Sequence, residues 1–190
     1  MILPGLYDIF QERWGKFQTC HITSDTHFSD EELAAGIKNR PTDDLLVKLI
    51  NSKVGKKDLL IHLGDVGDIE YAKQLRGYKV LICGNHDSGK TNYADVFDEI
   101  YTGPLLIGEK ILLSHEPIPN ITWAVNLHGH DHCPHKTDKY HYNFCLDATN
   151  YLPINFNQWL KEGHLSKIET IHRITIDKAT TKKRNKIDKK

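Results

Sequence analysis

The chain has 190 residues, 39% hydrophobic and 26% charged, with 25 basic side chains set against 25 acidic ones. That length is about one domain's worth and the composition is that of a soluble globular protein, while the balanced charge argues neither for nor against a nucleic-acid partner. No segment approaches the roughly 18 consecutive apolar residues of a membrane span, Pro4, Gly5 and Asp8 break any leader-like start, and Cys20, Cys83, Cys133 and Cys145 stand singly, which excludes a disulfide framework and fits a reducing, cytoplasmic setting.

Residues 7–14 read as a short helix or turn, and 17–23 as a first strand ending at Ser24-Asp25-Thr26-His27. A polar stretch over 28–40 leads to Pro41-Thr42-Asp43-Asp44, after which Leu45, Leu46, Leu49, Ile50 and Val54 recur at helical spacing. Proline and acids in the first turn, with Gly55 as the stop, delimit that helix. Residues 58–63 form a second strand running into Gly64-Asp65-Val66-Gly67-Asp68, and 69–76 a short helix stopped by Gly77. Residues 79–83 form a third strand running into Gly84-Asn85-His86-Asp87. This strand–helix alternation implies a parallel sheet with right-handed crossovers.

Residues 92–101 read as a helix, 105–107 and 111–114 as a hairpin ending at His115, and 123–128 as a strand ending at Gly129-His130-Asp131-His132. A strand over 140–146, a turn at Tyr151-Leu152-Pro153, a helix over 155–161 and an edge strand over 168–176 complete one domain spanning 1–177. Residues 178–190 form a basic tail, in which Asp188 is the only acid; it is a solvated end or a polyanion contact.

Five strand ends therefore carry related chemistry: Asp25-x-His27, Asp65-x-x-Asp68, Asn85-His86-Asp87, His115 and His130-x-His132. Carboxylate, imidazole and amide oxygen together suit manganese, iron, zinc or nickel. In the two alternating pairs both side chains of an extended segment face one way, so each pair can meet one ion. Gly64, Gly84 and Gly129 are expected to let the backbone turn sharply as it leaves the sheet.

This ordered set resembles the calcineurin-like metallophosphoesterase superfamily, and the match runs from about residue 19 to 147. Asn39-Arg40-Pro41 and the Tyr151-x-Pro153 turn look like the short single-domain bacterial and phage members, extending the likeness to about residue 163. The resemblance implies a four-layer α-β-β-α sandwich, two mixed β-sheets flanked by helices. It implies two divalent metals, with manganese the first choice for activity. Asp25, His27, Asp65 and His132 would hold the first, and Asp65, Asn85, His115 and His130 the second, with Asp65 bridging. The pair would share a water of lowered pKa and direct it at phosphorus. His86 would protonate the leaving oxygen, Asp68 would orient His86, and Asp87 would tie the loop through backbone contacts.

Protein serine/threonine phosphatases of the superfamily carry arginine and glutamate where this chain has Ile69 and Asp87, so that substrate class is not expected. His86 is retained where some small bacterial phosphodiesterases have cysteine, which suits alkoxide as well as aryl leaving groups. The expected activity is hydrolysis of small or nucleotide phosphodiesters, with monoesters a further class. The alternatives are a nuclease or end-processing enzyme, which the basic tail would serve, and a non-catalytic binding module on the same fold.

Arg40 is the best free cation for gripping a phosphate, with a surface role as its alternative. His21, His62 and His128 are expected to be structural, His135 and His141 to face solvent, and Cys133 to turn away from the metals.

Overall fold

The computed structural model describes residues 1–87, 93–133, 138–171 and 173. The strands β1 (Cys20–Thr23), β2 (Leu59–His62) and β3 (Tyr78–Ile82) are short runs with almost no alternation of polarity, as expected where both faces of a parallel sheet are covered. They pair in parallel, Ile22 beside Ile61 and Ile61 beside Val80. β4 (Glu99–Tyr101) extends the sheet in parallel beyond β3, and β9 (Ile154–Asn155) runs antiparallel beside β1. A second sheet takes the order β5 (Leu105–Gly108), β6 (Ile111–Leu113), β7 (Val125–His128) and β8 (His141–Asn143), antiparallel between β5 and β6 and parallel thereafter.

Alternation decides which side chains meet. Ile22, Leu59, Ile61, Val80 and Ile82 join Ile111, Leu113, Val125 and Leu127 in the core between the sheets, closed by Trp14 of α1 (Asp8–Trp14) and by Phe156 and Trp159 of α5 (Phe156–Lys161). Leu60 and Leu81 point the other way, onto Leu46 and Ile50 of α3 (Asp43–Lys53) and Ala72 of α4 (Ile69–Ala72). The result is the expected sandwich of two mixed sheets flanked by helices. Over Leu112 of the second sheet the cover is a small cluster of Ile118, Ile121, Trp123 and Ala124. Among the described residues no helix is long and apolar enough to cross a membrane.

Three elements differ from expectation. The expected helix over 92–101 is absent where it is described, from residue 93: one 3-10 turn at Tyr93–Asp95 precedes β4. The open edge of β3 accepts that strand, and Glu99 is fixed on it by Arg13, Trp14, Tyr78 and Tyr101. The polar stretch over 28–40 contains α2 (Glu31–Gly36), which Asp30 caps by accepting from the Leu33 amide. The expected edge strand over 168–176 is absent where it is described, since residues 168–171 are not extended into a sheet; its remainder and the basic tail lie outside the described residues.

Candidate metal centre

The loops that leave β1, β2, β3, β6 and β7 converge at one end of the sandwich. Asp25, His27, Asp65 and His130 all sit at positive φ, 59°, 40°, 56° and 68°, a region that costs a non-glycine residue of order 1–3 kcal/mol. Hydrogen bonds hold them there. Asp25 N–H donates to the Gly64 carbonyl at 2.9 Å, His27 N–H to the Asp65 carbonyl at 3.0 Å, and His130 N–H to Asp25 Oδ2 at 2.9 Å.

The glycines serve a second purpose besides turning. Gly64 has φ 102°, but Gly84 and Gly129 do not adopt positive φ. A Cβ on Gly84 would lie 2.2 Å from Asp65 Oδ1, and one on Gly129 would lie 2.3 Å from Asp25 Oδ2. They let a neighbouring loop touch the two central carboxylates, a reason the sharp-turn expectation did not contain.

Asp65 stands at the middle. Its Oδ2 lies 3.4 Å from His27 Nε2 and 3.2 Å from His115 Nε2, while Oδ1 accepts from the His86 amide at 2.9 Å. On one side Asp25 Oδ1 is 4.0 Å from His27 Nε2 and 3.7 Å from His132 Nε2. On the other His115 Nε2 is 2.9 Å from Asn85 Oδ1 and 3.1 Å from His130 Nδ1. The structure thus brings Asp25, His27, Asp65, Asn85, His115, His130 and His132 together as two donor groups that share Asp65.

These groups fit a divalent ion on chemical grounds. Asp25 Oδ1 and His27 Nε2 are buried and have no hydrogen-bond partner, and each such atom costs about 1–3 kcal/mol if left that way. Both face the same carboxylate cluster, so a cation would satisfy them together. The far nitrogens of the rings are engaged. His27 Nδ1 is 3.3 Å from Asp30 Oδ2, His132 Nδ1 is 2.7 Å from Asp147 Oδ2, and His115 Nδ1 donates to the Leu63 carbonyl at 2.9 Å. Such partners keep the Nε2 lone pair pointing at the cluster. Burial pushes the Asp65 carboxyl up, yet the adjacent His115 and His27 rings and the hydrogen bond from the His86 amide outweigh it and hold the group ionised far below the usual range. Burial likewise works against protonation of His27 and His115, but Asp65 and Asp25 raise both above ordinary histidine.

His86 is exposed, its ring 5.3 Å from that of His27, and it lines one cleft of about 440 Å³ with His27, Asp65, His130 and His132. Asp87 ties the loop as expected, accepting from the backbone N–H of Asp65, Val66 and Gly84. Among the described residues no hydrogen bond joins Asp68 to His86. Its carboxylate accepts from the Glu70 amide at 2.8 Å and from Ser29 Oγ at 3.2 Å, because it is the N-cap of α4. Arg40 is not a free cation. Its guanidinium, 3% exposed, pairs with Asp147 and donates to the Asp25 and Thr26 carbonyls.

Asp147 and Asp30 are the residues that sequence reasoning passed over. Asp147 ends an apolar run after Cys145, as the recognised ligand motifs do, and that signal was available. Asp30, three residues past His27, lies in the stretch read only as polar, and it both caps α2 and faces His27 Nδ1. Cys145 Sγ comes within reach of Asp25 and His132, but burial pushes its thiol far up and it stays a small buried group.

Among the other histidines, His21 is buried near Asp58 and His128 is buried with Nδ1 2.8 Å from the Gly129 carbonyl. Against expectation His141 is half-buried, its Nε2 2.9 Å from the Ile118 carbonyl. Cys133 is exposed, and His135 lies outside the described residues.

His62 is fully buried and neutral. Thr26 Oγ1 donates to the Val66 carbonyl, so it accepts from His62 Nε2–H at 3.0 Å, and His62 Nδ1 accepts from the Gly64 amide. A second ring proton would have no acceptor, and burial holds the pKa well below ordinary histidine. The unfolded chain then binds the proton first, so stability is lost as pH falls below about 6.5, at a slope approaching 1.4 kcal/mol per pH unit. Urea unfolding of the metal-free chain between pH 7 and 5 should show that loss, and His62→Gln should flatten it. An equal slope in the variant would clear His62.

Compared with known proteins, no family model and no curated protein matches the chain. Among solved structures it is similar to the protein of unknown function AQ665 from Aquifex aeolicus, with 26% identity and a TM-score of 0.62 over 75% of this chain and 98% of that one. The nuclease MPE from Pseudomonas putida aligns at 23% identity and a TM-score of 0.43, over 60% of this chain and 61% of that one. The first likeness supports the two-sheet architecture.

Proposed function

We propose that this protein is a metal-dependent phosphoesterase of the calcineurin-like type that hydrolyses small or nucleotide phosphodiesters. The observation that carries the reading is a pair of donor groups, rich in histidine and carboxylate, sharing the single ionised Asp65 and containing unpartnered buried ligand atoms. Asp25, His27, Asp65 and His132 would hold one divalent ion, and Asp65, Asn85, His115 and His130 the other. Bound there, such ions activate water and neutralise charge on phosphate oxygens.

The chain's own groups set up the rest. Asp65 Oδ1 holds the His86 amide, so the residue that would supply the proton is positioned by the carboxylate that the two donor groups share. Asp87 locks the same loop to the backbone of Asp65 and Val66. The water oxygen forms a new bond to phosphorus and releases a proton to solvent. The bond to the leaving oxygen breaks with its electron pair on that oxygen, which takes a proton from the His86 imidazolium.

His86→Ala should therefore lower kcat for an alkyl phosphodiester by about 10²–10⁴-fold. It should affect p-nitrophenyl esters far less, since that leaving group departs without a proton. The decisive measurement compares both esters in wild type and variant with manganese, then with a chelator. Manganese-independent turnover, or equal loss on both esters, would reject this mechanism.

A further inference from the structure

The donor cluster has a cleft on each side, and the two differ in chemistry. The first, described above, is walled by His86 and by Asp30, Glu32 and Leu33 around α2. The second, about 330 Å³, begins at Asn85 and His115 and continues along Thr102-Gly103-Pro104 and Pro117-Ile118-Pro119. Apart from His115 and the exposed Glu116, its described lining is uncharged.

This wall is held in register with the donor cluster. Asn126 is fully buried, accepts from the Ile118 amide at 2.8 Å and donates to Ser114 Oγ, the neighbour of His115, at 2.8 Å. His141 holds the Ile118 carbonyl at 2.9 Å, and Ile118 itself packs on Leu112, Ile121 and Ala124. The three prolines fix the backbone on either side. A cleft held in place in this way, with Glu116 at its exposed rim and an otherwise uncharged wall leading from Asn85 and His115, is a preformed site for an organic group.

We propose that this second cleft seats the retained ester substituent of a phosphodiester, an uncharged aryl or nucleoside-sized group; this rests on the phosphoesterase reading. Of these two clefts, His86 lines the first and not the second, so the leaving group departs on that side. The substituent that stays bonded to phosphorus is left with the Asn85–His115 side. Its bond to phosphorus is neither made nor broken, so this cleft contributes to specificity without taking part in the proton transfer.

The test uses two diesters that release the same p-nitrophenolate but keep different groups: bis-p-nitrophenyl phosphate and methyl p-nitrophenyl phosphate. A Cβ on Gly103 meets no heavy atom within 4 Å, so Gly103→Trp fills the cleft without a backbone clash. With manganese, the variant should lose at least about tenfold in kcat/KM on the bis-aryl ester, mainly through KM, while the methyl ester stays within about twofold. Thr102→Trp, from the same wall, should repeat the pattern, and the methyl ester reports whether each variant is folded. Equal loss on both esters, or no loss on the bis-aryl ester, overturns the assignment of the cleft while leaving the phosphoesterase reading intact. Failure of the wild type to hydrolyse either ester with manganese, iron, zinc or nickel overturns that reading and this assignment with it.

Discussion

Asp65→Asn should lower divalent-metal affinity at least about 100-fold and remove phosphodiesterase activity, because one carboxylate serves both donor groups. The amide keeps an oxygen that can accept from the His86 amide, so the loop need not move. What is lost is the anion that faces His27 Nε2 at 3.4 Å and His115 Nε2 at 3.2 Å. Substitution of mere outer partners of metal ligands typically costs 10–100-fold, and a shared ligand should cost more. Isothermal titration with manganese should show two ions per wild-type chain and a weakened, reduced stoichiometry in the variant. Asn85→Ala offers the contrast. Asn85 belongs to only one donor group, beside His115, so one ion should persist. Retention of two tight ions in Asp65→Asn would show that the bridging assignment is wrong.

Much of this site was legible in the sequence because a parallel strand ends where its apolar run ends. Ile61-His62-Leu63 followed by Gly64-Asp65 marks where the chain quits the sheet, and so does Cys83-Gly84-Asn85. The seven ligand candidates come from such ends, and topology does the rest by stacking the carboxyl ends of both sheets together. Secondary structure without that punctuation was harder. Residues 92–101 carry helix-tolerant residues, but the free edge of β3 accepts Glu99–Tyr101, and a long-range pairing of that kind leaves no local signature.

The side-chain partners of Asp68 and Arg40 were the least legible, for a related reason. Asp68, three residues after Asp65, was expected to partner His86, but it is equally an N-cap residue in front of Ile69, and the local bond to Glu70 N–H was there to be taken. Arg40 looked free because its partner, Asp147, lies 107 positions away. Sequence spacing says nothing about a contact of that separation unless both ends carry a recognised pattern.

That contact has the second large expected effect. Arg40 and Asp147 are each only 3% exposed, and a single Asp147 oxygen accepts from both Arg40 and His132 Nδ1. Burial pushes the Asp147 carboxyl up, but His132 and Arg40 together bring it below its ordinary value. The other guanidinium nitrogen holds the carbonyls of Asp25 and Thr26, on the stretch where Asp25 takes its positive φ. One fork therefore anchors a ligand's backbone and, through Asp147, a second ligand's ring.

Arg40→Ala leaves the buried Asp147 carboxylate without its cationic partner, held by His132 and the weak Cys145 thiol donor, and frees two carbonyls, which should destabilise the metal-free chain by about 3–5 kcal/mol and lower Tm by roughly 10 °C. Arg40→Lys should recover little, since an ammonium cannot span both sets of acceptors. Asp147→Asn keeps an acceptor in place but weakens the charge-assisted bond that orients His132, and should cost 10–100-fold in affinity for the ion bound with Asp25. The pair should be strongly coupled: Arg40→Ala combined with Asp147→Asn should cost far less than the two single losses added together. Additive losses would mean that Arg40 and Asp147 act separately, and the route from the guanidinium to His132 would have to be abandoned.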